Sequence, residues 1–107
     1  MPLIRLEYDD GKVSDADILS LSKAVRDIVS TATKIADVFV YANSAKIKVQ
    51  VAPVEIFVEM SDHKIKDEDE LVSVIKEQLS LWKKTSGFPA PINLTLIPMR
   101  WKVEVGI

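Results

Sequence analysis

The sequence contains no cysteine and a single histidine, His63, among its 107 residues. Disulfides, thiolate nucleophiles and zinc-thiolate sites are thereby excluded, and one imidazole builds neither a histidine metal site nor a Ser-His-Asp relay. Neither sign of charge dominates. Fourteen basic residues stand against sixteen acidic ones along the whole chain, for a formal net charge of −2, so no basic face points to nucleic acid and no acidic tail is present. No run approaches the roughly 18 apolar residues that span a bilayer. The opening Met1-Pro2-Leu3-Ile4-Arg5-Leu6-Glu7-Tyr8 brings charge in too early for a signal peptide, which needs a basic start and an apolar stretch of about 7–15 residues. A soluble, cytoplasmic protein is expected. What the chain does have is an apolar share of 48%, ample for the core of one domain over residues 1–107.

Leu3 to Tyr8 sets Ile4, Leu6 and Tyr8 against Arg5 and Glu7, the period of two that suits a strand. Asp9-Asp10-Gly11 then predicts a turn. Ser14 followed by Asp17 is a capping signal, and Ile18, Leu21, Val25, Ile28, Val29 and Ala32 recur at helical spacing to about Thr33. Val38 to Ala42 is β-branched and aromatic, and the run Ala45 to Val51 alternates Ile47, Val49 and Val51 with Lys46, Lys48 and Gln50, predicting two strands. Pro53 marks an edge or a bend before a strand from Val54 to Met60. The acidic group Asp67 to Glu70 suits a helix N-terminus ahead of Leu71, Val72, Ile75, Leu79 and Trp82, with Lys83 and Lys84 near the far end and Gly87 beyond it. A strand from Ile92 to Ile97 follows, and Trp101, Val103 and Val105 alternate with Arg100, Lys102 and Glu104 in a last short one.

The expected fold class is therefore α+β. Duplicated β-α-β units, about 1–51 and 52–107, form one mixed sheet with two helices on one face. A chain of this size has no third layer to cover the other face, which makes oligomerisation the economical solution.

Pro2 directly after Met1, opening the first strand of such a duplicated chain, resembles the tautomerase superfamily, the group of 4-oxalocrotonate tautomerase, macrophage migration inhibitory factor and the carboxymethyl-hydroxymuconate isomerases. The resemblance implies an amino-terminal proline, exposed when Met1 is removed, that transfers protons at a subunit boundary of a homotrimer. It also places Lys12 where many members carry a cation, usually arginine, after the first strand's turn. Lys34, at the end of the first helix, resembles a lysine of the inhibitory-factor branch. Met60-Ser61-Asp62-His63-Lys64-Ile65 is similar to the segment that closes that branch's pocket, with Asp62 departing from an apolar residue, and Ile92 and Asn93 begin the final inner strand in a comparable place.

The chemistry of Pro2 has its own basis. A free α-amino group titrates at about 7.7–8.0, and apolar walls or a nearby cation such as Lys12 disfavour its charged form. The neutral amine then takes a proton from carbon beside a carbonyl, a general-base contribution of about 10²–10⁴-fold. Lys12, with Lys34 or Arg100, would hold carboxylate or enolate charge, Arg100 through its planar guanidinium. The expected activity is keto-enol tautomerisation of a small 2-oxo or enol acid, without metal or organic cofactor, and it requires removal of Met1, because an acylated proline nitrogen is not basic. The alternative is a non-catalytic module, ferredoxin-like or of tautomerase fold, that binds a protein or small ligand; there Pro2 merely starts an edge strand. Arg5, opposite Ile4 and Leu6, reads either as a surface residue or as one aimed at a neighbour or substrate, His63 as an exposed loop residue, Asp67 to Glu70 as a dipole-complementing helix start rather than a metal cluster, and Tyr8, Phe39, Tyr41 and Trp82 as core or interface.

Overall fold

The computed structural model describes residues 1–107. Strand β1 (Leu3–Tyr8) leads through a tight turn to helix α1 (Asp15–Thr33) and strand β2 (Phe39–Asn43). Strand β3 (Val54–Ser61) passes through a 3-10 turn (Asp62–Lys64) to helix α2 (Glu68–Ser86) and strand β4 (Asn93–Met99). In the sheet the order is β2-β1-β3-β4. β1 is parallel to β2 and β3 to β4, while β1 and β3 meet antiparallel. Two β-α-β units are thus joined back to back through their first strands, an α+β architecture.

Each helix is bounded by the signals its sequence carries. The Ser14 hydroxyl accepts the Asp17 N–H at 3.1 Å, and the Asp67 carboxylate accepts the Glu70 N–H at 3.1 Å. Both satisfy an amide that the first turn would leave unpaired. Gly87 ends α2 with φ 72°, where its N–H reaches the Lys83 carbonyl at 3.0 Å. At that φ a side chain is strained, so glycine is the apt residue.

Period-two alternation decides which sheet face is covered. Ile4 and Leu6 of β1 and Val54, Ile56 and Val58 of β3 are fully buried, in one cluster with Ile18, Leu21, Val25 and Val29 of α1 and Ile75 and Leu79 of α2. Both helices therefore lie on this face. Trp82 packs on Phe88 at 5.6 Å between ring centroids, on the core side as its spacing predicts. The opposite face carries Arg5, Phe39, Tyr41, Phe57 and Glu59, with Phe39 and Tyr41 exposed. Neither helix is long and apolar enough to cross a membrane.

Two strand expectations are corrected. Residues 45–51 form no strand, and Ile47 and Val49 are exposed at 87% and 102%. The chain there has to pass from β2, at one edge, to β3, beyond β1. That detour of two strand spacings, about 10 Å, uses the segment as a connection across the end of β1 and lays it beside no strand. The segment is held instead by Lys48, whose ammonium donates to Asp10 at 2.5 Å and to the Ser44 hydroxyl at 3.0 Å and lies 3.5 Å from Asp9. Residues 101–105 are likewise outside the sheet, and Val103 and Val105 are exposed. Alternation equips these segments for pairing, but a strand also needs a partner alongside it, and neither segment runs beside an edge strand of this sheet.

Two outcomes are expected. Ile56→Ala should cost about 2–5 kcal/mol in urea unfolding, whereas Leu19→Ala, on the exposed side of α1, should stay within about 0.5 kcal/mol. The Lys48 tie should be lost at both pH extremes. The hydrogen bond from Lys48, then its charge, hold the Asp10 carboxyl below its ordinary value of 3.8, so its contribution is complete above that value and disappears as pH falls through the lowered one. The hydrogen bond to Asp10, then the charges of Asp10 and Asp9, raise Lys48 above its ordinary 10.5 against the opposing effect of desolvation. This second contribution is complete below 10.5 and disappears as pH rises through the raised value. Order parameters from 13C relaxation across residues 44–51 should be highest between those limits; order that does not change with pH would refute the tie.

Candidate functional site

Antiparallel pairing of β1 with β3 brings the start of one beside the end of the other. Leu3 pairs with Glu59, so the register carries Pro2 to the level of Met60, just before the 3-10 turn. Pro2 and Met60 are both buried, and the Pro2 carbonyl accepts the Phe39 N–H at 3.1 Å. With Met1 attached, the Pro2 nitrogen is an amide without basicity.

The crossover helices deliver their ends to the same side. α1 runs back along β1 and finishes at Thr33, whose hydroxyl donates to the Val29 carbonyl at 2.7 Å. Lys34 then turns the chain in the left-handed region, at φ 58°, and the Ser30 hydroxyl donates to the Ile35 carbonyl at 2.7 Å to secure the exit. From the other half come Lys64, Ile65 and Lys66, between the 3-10 turn and the Asp67 cap. The Ile65 N–H donates to the Asp62 carbonyl at 3.2 Å, closing the turn. Together these ends enclose a groove of about 250 Å³, with Lys34, Lys64 and Lys66 along it, Asp67 and Glu70 at the start of α2, and Ile65, Leu71 and Val74 supplying apolar wall.

A second cleft is lined by His63, the chain neighbour of Lys64, and by Arg100, Trp101 and Lys102; the buried Pro2 lines neither cleft. β4 runs parallel to β3 and places Met99 opposite Ser61, so Arg100 leaves the sheet at the end where Pro2 enters it. Lys34, Lys64, Lys66, Arg100 and Lys102 form no ion pair within the chain, whereas Arg5, Arg26 and Lys48 each hold a carboxylate. His63 faces its neighbour Asp62 at 3.7 Å, and the buried Oδ1 of Asp62 has no hydrogen-bond partner. This end of the molecule therefore combines a small cavity, apolar wall and uncommitted cations. Such a set binds and orients a small anion and stabilises charge developing on its oxygen.

Of the residues singled out in the sequence, Pro2, Lys34 and Arg100 share this end and Lys12 does not. Lys12 lies in the turn after β1, and the six steps from Pro2 to Tyr8 alone span about 20 Å. Arg5 is on the open sheet face, donating to Glu59 at 3.3 and 3.5 Å, with its guanidinium 5.0 Å from the centre of the Phe57 ring. The Tyr8 hydroxyl donates to Asp15 at 2.7 Å, which raises the phenol's pKa chiefly through that hydrogen bond to a carboxylate. Lys64 and Lys66 were not singled out by residue type. The signal for them is their placement astride Ile65, between a strand end and a helix cap.

Lys34 is the one non-glycine residue with positive φ. A left-handed conformation costs an ordinary side chain about 1–2 kcal/mol. Lys34→Gly should therefore raise the melting temperature while weakening carboxylate binding in the groove; a drop in melting temperature would show that the lysine side chain supports the fold.

No family model matches the chain, and no curated protein matches it. Solved structures do. Malonate semialdehyde decarboxylase, solved as wild type, as a proline-to-alanine variant and in inactivated form, superimposes at a TM-score of 0.70 with 16% identity, covering 98% of this chain and 92% of that one. 5-Carboxymethyl-2-hydroxymuconate delta-isomerase is similar at 0.68 and 12% identity, over 99% and 89% of the two chains. A fused 4-OT, solved as an asymmetric trimer, is similar at 0.56 and 11% identity, over 91% and 85%. At such identities the likeness concerns the arrangement of the backbone, and along nearly its full length this chain has the α+β fold of these proteins.

Proposed function

We propose that the protein is a tautomerase-type isomerase that moves a proton within a small 2-oxo or enol acid, with Pro2 as base after Met1 is removed. The observation that carries this reading is the position of Pro2 at the sheet end with the groove and the five unpaired cations. Likeness in fold to an isomerase and to a decarboxylase crystallised with a proline variant supports it further.

In this reading the free amine of Pro2 is largely neutral near pH 7, because apolar surroundings and nearby cations penalise its charged form. The nitrogen lone pair takes a proton from the carbon beside the substrate carbonyl, and the C–H electrons move through the new C=C onto oxygen. Lys34 stabilises the enolate that forms. The Pro2 ammonium then returns the proton to carbon at another position or to oxygen, which regenerates the amine and balances the reaction. Arg100 holds the substrate carboxylate. Lys12, too far along its own β1, acts from a neighbouring copy in a homotrimer, an assembly supported by the exposed Phe39 and Tyr41 on the uncovered sheet face and by the trimeric 4-OT of similar fold.

The test is ketonisation of an enol acid to its 2-oxo form by protein whose intact mass lacks Met1. Pro2→Ala should lower kcat/KM by about 10²–10⁴-fold with the fold retained by circular dichroism. An unchanged rate, or full turnover by protein that retains Met1, would remove Pro2 as the base and leave the non-catalytic binding module as the better reading.

A further inference from the structure

Lys48 lies in the segment that the sheet leaves unpaired, yet it has three polar partners, more than any other cation in the chain. Its ammonium meets Asp10, Asp9 and the Ser44 hydroxyl. Both aspartates belong to the turn that carries Lys12. That turn is braced from within. The Asp9 carboxylate accepts the Gly11 N–H at 3.0 Å, and the Asp9 carbonyl accepts the N–H groups of Lys12 and Val13, each at 3.0 Å. Val13 is buried and anchors the turn to the core. Lys12 itself is exposed and has no carboxylate partner.

Two carboxylates two and three residues away are the natural ion-pair partners of a lysine in a tight turn. Here Lys48 occupies them from the other side. We propose that Lys48 is a positioning residue: by taking up the Asp9 and Asp10 carboxylates it leaves the Lys12 ammonium free to receive the carboxylate of a substrate. This rests on the role of Lys12 in the proposed function and adds to it a determinant of substrate charge. Without Lys48, the two carboxylates draw Lys12 back onto its own turn and repel an incoming anion.

The physical signature is selective for charge. Lys48→Met should raise KM for a 2-oxo acid about two- to fivefold, the range for exposed ion pairs, while kcat holds and KM for the corresponding uncharged ester is unchanged. Lys48→Arg should restore the parent value. In a Lys12→Ala background the same substitution should have no further effect on KM, and raising the salt to about 1 M, where the screening length is about 3 Å, should erase the difference. An equal rise with acid and ester, a matching loss in kcat, or an undiminished effect without Lys12 would each show that Lys48 merely supports the fold, and would overturn the assignment.

A second measurement separates this proposal from the isomerase reading. Acylation of Lys12 by a sulfonated, anionic succinimidyl acetate and by its uncharged counterpart, followed by peptide mass spectrometry, reports how readily an anion reaches that ammonium. Lys48→Met should lower the ratio of anionic to neutral rate at Lys12 about two- to fivefold and leave the ratio at Lys23 of α1 unchanged. That result in a protein without turnover would sustain the positioning role and refute the isomerase. An unchanged ratio in a protein with turnover would do the reverse.

Discussion

The antiparallel contact of β1 with β3 is the constraint on which everything else in the molecule rests. Ile4 faces Val58 and Leu6 faces Ile56, all buried, and this is where two β-α-β units become one sheet. A slip of one residue would turn the apolar row of one of the two strands to the open face and put its charged residues beneath the helices. The same register brings Pro2 to Met60. Because a crossover helix returns to the level at which its first strand began, α1 ends near the start of β1, and α2 begins near the end of β3. One pairing thus gathers a strand start, two strand ends, a helix start and a helix end at one side of the sheet. The groove is the space these ends leave between them.

Charge is distributed unevenly over that frame. On the open face Arg5 stands between Glu59 and Glu7 and over Phe57, so its cation is consumed locally. At the turn before α1, Lys48 is consumed by Asp9 and Asp10. Five cations without ion-pair partners, Lys34, Lys64, Lys66, Arg100 and Lys102, line the groove and the cleft around the 3-10 turn, although the chain as a whole is slightly acidic. Net charge therefore says little about the character of the site, since pairing decides which charges remain available to a ligand.

Much of the fold was legible because its determinants are local. Periods of two and 3.6, the Ser14 and Asp67 caps and Gly87 define β1, β3 and both helices nearly to the residue. Residues 45–51 and 101–105 carry the same period of two without becoming strands, because alternation expresses a capacity for burial on one side while a strand also needs a neighbour. The site was legible in part, for the same reason. Lys34 stands out in the sequence through a family resemblance and Arg100 through its guanidinium beside Trp101, but Lys64 and Lys66 acquire meaning only when the 3-10 turn brings them to one groove with Lys34. The distance of Lys12 from Pro2 follows from the direction of β1, which no count of residues from a family pattern conveys.

The back-to-back junction also governs how the chain reaches its structure. Leu3 and Glu59 are more than fifty residues apart in sequence and adjacent in the sheet, so the pairing that completes the core must close a long loop before any of its burial is gained. The first half alone has a helix and two strands but only one side of the central seam. As the chain emerges from the ribosome, Ile4 and Leu6 stay uncovered along one edge until Ile56 and Val58 have been synthesised. Folding should be slow for so small a protein and concerted across both halves, and during that interval the growing chain depends on dilution or on chaperones to keep an open apolar edge from pairing elsewhere.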